Sequence, residues 1–167
     1  GSANQHPTTS DYPYFLSEFY WASFRWNQIH KRLDTLQFAT ANDMLDIQLD
    51  NRSVFAEKTI PVILRTFKDH LKNDLEIQAF TILSNWNYEM DGHSPAPTMY
   101  RNWYALLEEL TWEDDLGIDN DKFIWPYRDK MMELILTDPE SHWFDNKTTA
   151  KKETFSHLAQ EAFHLMV

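Results

Sequence analysis

The stretch TANDMLDIQLDNRSVFAEKTIPVIL, residues 40–64, decides how this chain is read. It opens on Thr40, with an acid at the third helical position, Asp43. In that pattern a hydroxyl and a carboxylate satisfy each other's orphan N–H groups at a helix start. Met44 and Ile47, with Leu45 beside them, give the short helix an apolar face. A second helix is expected from Ser53 to Leu71, carried by Phe55, Ala56, Ile60, Ile63, Leu64 and Phe67 at three- and four-residue steps. Pro61 falls inside it and is expected to kink or restart it, because proline removes one hydrogen bond and clashes with the preceding turn.

The same period runs outward in both directions. Residues 1–16 carry Pro7 and Pro13 and read as an extended segment, since the residue before a proline is pushed out of the helical region. A helix is expected from about Ser17, with Phe19, Ala22, Trp26, Ile29, Leu33 and Leu36 on its stripe. Arg25, Gln28, His30, Lys31 and Arg32 lie mostly off that stripe. Downstream, Asn73-Asp74 caps a helix through Trp86, a polar loop follows over 87–97, and Thr98–Leu110 is helical again. Residues 111–125 are mixed and acidic, and Pro126 suits the first position of a helix through Leu136. One turn is expected around Trp143-Phe144, and Thr148 starts the last helix. No alternating strand run of useful length occurs. The expectation is an all-α, irregular bundle of about six or seven helices, with residues 17–167 as a single helical domain.

Composition narrows the function. The protein has 167 residues, enough for a real core, and a formal net charge of −11. A phosphate backbone is bound by clustered Lys and Arg, so no nucleic-acid partner is expected. No apolar run approaches the roughly 20 residues of a membrane span, so no membrane partner is expected either. With no cysteine, disulfides, thiolate metal sites and cysteine nucleophiles are excluded. The three glycines, Gly1, Gly92 and Gly117, cannot form a phosphate-cradling loop.

Spacing alone offers little chemistry. The acids from Asp114 to Asp121 lack the calcium-loop pattern, with Gly117 out of place, and read as a solvated loop. His157 and His164 could share a helix face, but no carboxylate pairs with them at metal spacing. Asn51 and Asn146 begin glycosylation sequons that carry weight only in a secretory context. The tryptophans fall at core spacing. No cofactor or metal is expected within these residues.

Three segments together carry a resemblance. The first is Ser2-Ala3-Asn4-Gln5-His6-Pro7, then Asp11-Tyr12-Pro13-Tyr14, then Phe24-Arg25-Trp26-Asn27-Gln28-Ile29. The second is Thr40 to Asp50 with Ser53, Ala56 and Ile60-Pro61-Val62-Ile63-Leu64. The third is Ile82-Leu83-Ser84-Asn85-Trp86-Asn87 followed by Ser94 to Trp103. In order and spacing they resemble the penicillin acylase family of N-terminal nucleophile hydrolases, over roughly the first 110 residues. Asn87 stands where the family usually has Asp, and Gln5 where many members have a second Asn.

The resemblance implies amide hydrolysis by a precursor that cuts itself to expose a serine, whose own α-amine is the general base. It implies that Asn4 donates to the tetrahedral oxyanion and that Arg25 orients the site. Ser2 cannot be the nucleophile, since Gly1 blocks its amine; the resemblance puts that serine far upstream of Asn4. On this reading residues 1–167 are the helical part of the β subunit, excised from a larger α/β hydrolase and inactive alone. The partners are the α subunit, the N-terminal part of the β subunit and a small acyl-amide substrate. The resemblance also implies a periplasmic or secreted enzyme. The competing readings are a stand-alone acidic helical interaction module and an all-α enzyme or carrier with a site among its Trp-rich helices.

Overall fold

The computed structural model describes residues 3–9, 11–17, 20–117 and 125–167. Ser2, Phe19 and the stretch Asp119-Asn120-Asp121 lie outside the described residues. Among the described residues the protein is all-α, with seven α-helices and two 3-10 turns and no β-strand. It divides into two compact units, Gly1–Val54 and Phe55–Val167.

The first unit holds α1 (Phe24–Leu33) and α2 (Ala41–Gln48). The helix expected from about Ser17 starts at Phe24 instead. The reason is a bond to a distant part of the chain: the Trp21 N–H bonds the Asn4 carbonyl at 3.0 Å, which is incompatible with a helical ladder there. Lys31 and Arg32 sit in the last turn of α1, where cations suit the negative end of the helix dipole. The start of α2 follows the expectation. The Asp43 N–H bonds Thr40 Oγ1 at 3.3 Å, and the Thr40 N–H bonds Asp43 Oδ2 at 2.7 Å.

The second unit holds α3 (Val54–Phe67), α4 (Asp74–Ser84), α5 (Ala96–Leu116), α6 (Arg128–Thr137) and α7 (Phe155–Met166). The 3-10 turns are Lys68–His70 and His142–Phe144, the second at the expected Trp143-Phe144. The helix α3 runs through Pro61 without restarting. Pro61 lies on its exposed face, where the ring displaces no buried neighbour. Helix α5 extends to Leu116, through residues read as mixed from the sequence. Buried Thr111, bonded to Leu107 O at 2.7 Å, and buried Trp112 anchor that extension. Pro126 lies two residues before α6 rather than in its first turn. The last helix begins at Phe155 and not at Thr148: Asn146 Oδ1 accepts from the Thr148 N–H at 2.9 Å, and Thr149 Oγ1 bonds Glu153. These local bonds from polar side groups compete with the helical ladder.

The core of this unit forms where α5 packs on α7. Trp103, 1% exposed, donates its indole N–H to the Ala159 carbonyl at 3.0 Å. Phe67 stacks on Phe163 with centroids 4.3 Å apart, and Phe144 meets Phe155 at 5.5 Å. Trp86, Trp103 and Trp112 are buried, as core spacing requires, whereas Trp21 is exposed. On α3 and α5, Thr59 and Tyr100 share a buried hydroxyl pair at 2.8 Å.

Candidate functional site

The first unit brings together the two residues singled out from the sequence. Asn4 has a left-handed backbone, φ 68°. Asn is among the few residues that adopt this conformation readily, because its short polar group bonds locally. Its carbonyl is held by the Trp21 N–H, and the neighbouring Ala3 N–H bonds Gln5 Oε1 at 2.7 Å. The Asn4 side chain is exposed. Arg25, in the first turn of α1, reaches it: Arg25 Nη2 donates to Asn4 Oδ1 at 2.5 Å.

That bond has a chemical consequence. A primary amide carries one acceptor oxygen and two N–H donors on opposite branches. A guanidinium on Oδ1 therefore fixes which way Nδ2 faces. Its charge also draws electron density toward Oδ1 and makes the Nδ2 hydrogens better donors. The result is a neutral, oriented N–H pair on a backbone held in place by Trp21.

Arg25 also lines a cleft of about 350 Å³ between α1 and α2. Arg25, Gln28, Ile29 and Arg32 share one face of α1 by their three- and four-residue spacing. Met44, Ile47 and Gln48 come from α2, and Asp50 and Arg52 from the segment after it. Gln28 is 8% exposed, and its Nε2 donates to Asp50 Oδ2 at 2.8 Å. Arg32 Nε stands 3.7 Å from the same oxygen, and the Arg52 N–H bonds Asp50 Oδ1 at 2.9 Å. Partial burial pushes the Asp50 carboxyl up. The Arg52 N–H, the Gln28 amide and the charges of Arg32 and Arg52 outweigh it and hold the group below the usual carboxylate range. Gln28 Oε1 is buried and has no hydrogen-bond partner among the described residues.

The second unit gathers histidines. His70, His157 and His164 line a cavity of about 470 Å³ with Lys72, Lys151 and two glutamates. His157 and His164 do share a face, yet each has another task. His157 Nδ1 accepts from the Thr154 N–H at 3.2 Å, at the start of α7. His164 Nδ1 lies 3.0 Å from Glu76 Oε1; Glu76, 3% exposed, also accepts from the Lys72 N–H at 2.6 Å. Among the described residues no group of three or more His, Asp or Glu could hold a metal ion. The acids Asp114 and Asp115 belong to α5 and pair with the Lys147 N–H and ammonium. Among the described residues no helix is long and apolar enough to cross a membrane.

Sequence reasoning found Asn4 and Arg25 by resemblance and missed Gln28, Arg32 and Asp50 as cleft residues. The signal was present in the step 25–28–29–32 along α1, a polar face that adjoins the apolar stripe at Ile29. Asp50 could not be paired with it, because nothing in the sequence says that a residue 22 positions on returns to Gln28.

A family model described as penicillin amidase matches residues 1–167, the whole chain. No curated protein and no solved structure gives a significant match.

Proposed function

We propose, because the chain belongs to the penicillin amidase family, that it is the helical part of an amide hydrolase whose oxyanion is stabilised by Asn4, with Arg25 as the positioning residue. The nucleophilic serine is supplied from outside residues 1–167. Its hydroxyl attacks the acyl carbonyl while its α-amine takes the proton. As the carbonyl carbon becomes tetrahedral, charge moves onto the oxygen, and Asn4 Nδ2 donates to it. When the C–N bond breaks, the leaving amine takes the proton back, and water then releases the acyl group. The Arg25 bond to Asn4 Oδ1 carries this reading, since a donor serves catalysis only if it is already oriented when the charge develops.

The substrates of this reading are acyl amides of the β-lactam side-chain or N-acyl homoserine lactone type, cleaved in the periplasm or outside the cell. The decisive variant is Asn4→Ala in the processed parent enzyme, assayed on a chromogenic N-acyl anilide. The expected result is a fall in kcat of about 10²–10³-fold with KM little changed. An unchanged kcat overturns the assignment. Residues 1–167 alone are expected to turn over no substrate; turnover by the isolated polypeptide would contradict the external nucleophile.

A further inference from the structure

Asn4 presents its side chain from an uncommon backbone. Its φ of 68° lies in the left-handed region, which Asn enters more readily than most residues but still at some cost. Such a conformation persists where the surroundings over-determine it. On the C-terminal side of Asn4 the constraint is the Trp21 N–H, which holds the Asn4 carbonyl at 3.0 Å. On the N-terminal side it is the side chain of Gln5. Gln5 Oε1 accepts from the Ala3 N–H at 2.7 Å, so this side chain reaches back past Asn4 and closes a ring. Both soft backbone torsions of Asn4, φ and ψ, lie inside that ring. Its far end is anchored, since Ala3 is 8% exposed. The orientation of the Gln5 amide is unambiguous, because only its oxygen can accept from a backbone N–H. The ring fixes where the Asn4 Cβ points, and Arg25 on Oδ1 then fixes which way the amide faces.

We propose that Gln5 is a positioning residue for amide hydrolysis: its bond to the Ala3 N–H locks Asn4 in the left-handed conformation from which Nδ2 meets the oxyanion. The inference rests on the reading of Asn4 as the oxyanion donor. Gln5 touches no reacting atom and acts through Asn4 alone. A donor that must first be turned into place is a weaker one when charge develops, and a misplacement of about 1 Å is enough to slow an enzyme. Loss of the Gln5 bond therefore slows the chemical step and leaves ground-state binding of the substrate as it was.

The test compares Gln5→Met and Gln5→Glu in the processed parent enzyme, on a chromogenic N-acyl anilide and with active sites titrated. Met keeps the length of the side chain and loses the oxygen acceptor; Glu keeps an oxygen acceptor at the same reach. Gln5→Met is expected to lower kcat about two- to tenfold with KM little changed, the factor that one net hydrogen bond is worth. Gln5→Glu is expected to recover most of that rate. In the double variant Asn4→Ala/Gln5→Met, the second change is expected to cost nothing beyond the first. If Gln5→Met yields no processed enzyme, Gln5→Ala makes the same comparison without a thioether beside Ala3. Met and Glu variants that are equally slow overturn the proposal, because the acceptor is then not what matters. A loss that adds in full to that of Asn4→Ala overturns it too, and so does an unaltered rate in Gln5→Met while Asn4→Ala is slow; in both cases the oxyanion reading stands. An unchanged kcat in Asn4→Ala overturns the oxyanion reading and this proposal with it.

Discussion

Arg25→Met tests how the proposed oxyanion donor is built. The variant keeps Asn4 and most of the aliphatic stem but removes the guanidinium that bonds Asn4 Oδ1 at 2.5 Å. A hydrogen bond to a charged group is worth about 1.5–3 kcal/mol. Both side chains are exposed, so the effective figure is lower, about 1–2 kcal/mol. At about 1.36 kcal/mol per tenfold, kcat is expected to fall about 5- to 30-fold. That is well short of the loss on removing the donor, because Asn4 remains and reaches the right orientation part of the time. The assay is kcat of the processed parent enzyme, normalised by active-site titration so that incomplete processing does not count as slow chemistry. The double variant Asn4→Ala/Arg25→Met makes the test sharp. If Arg25 acts through Asn4, it costs nothing further once Asn4 is gone, and the coupling energy equals the whole single effect. Arg25→Lys should recover part of the rate, restoring charge without the planar fork. Additive losses in the double variant would instead make Arg25 a residue that acts on substrate directly.

Stability should respond to three further changes. Burial raises the Glu108 carboxyl, against the Tyr104 hydroxyl and the Arg128 charge, which lower it; ionised Glu108 therefore weakens the fold as pH rises above its ordinary value of 4.5 toward its folded pKa. Glu108→Gln keeps an acceptor for the Tyr104 hydroxyl, 2.8 Å away, and should raise Tm at neutral pH, with the gain vanishing below about pH 4. For Asp50 the sign is opposite. Its folded pKa lies below 3.8, so its contribution is present above that value and is lost as pH falls through the folded one; Asp50→Asn should flatten acid unfolding of the first unit followed by circular dichroism. Trp103 and Trp112 are both buried, yet of the two only Trp103 has a partner for its indole N–H among the described residues, the Ala159 carbonyl. Trp103→Phe should therefore destabilise more than Trp112→Phe, by about 1–2 kcal/mol in denaturant titrations, and equal losses would count against that account.

Element type was legible wherever a local rule acts alone. Thr40 and Asp43 satisfy each other within one turn, and Asn73 caps α4 through the Glu76 N–H at 3.0 Å, so both starts are written in four residues. Boundaries failed where a partner outside the helical ladder, distant or local, competes for the backbone. Trp21 donates to Asn4 instead of opening α1, and the Asn146–Glu153 contacts delay α7 to Phe155. Trp112 and Thr111 keep α5 helical because their burial outweighs the polar residues around them.

For the site, the residue types alone left Asn4 a turn residue and Arg25 a surface cation. Only the order of three segments gave them a shared context. The sequence by itself determined the helices, the acidic and cysteine-free character, and the family. Those follow from spacing, composition and residue order, which need no knowledge of where the backbone turns. The tertiary structure alone decided that Arg25 grips Asn4 across 21 positions and that Asp50 pins Gln28 while leaving Oε1 buried and unmet. Those pairings depend on how α1, α2 and the N-terminal segment close on one another, and closure depends on packing summed over many residues, which no single stretch encodes.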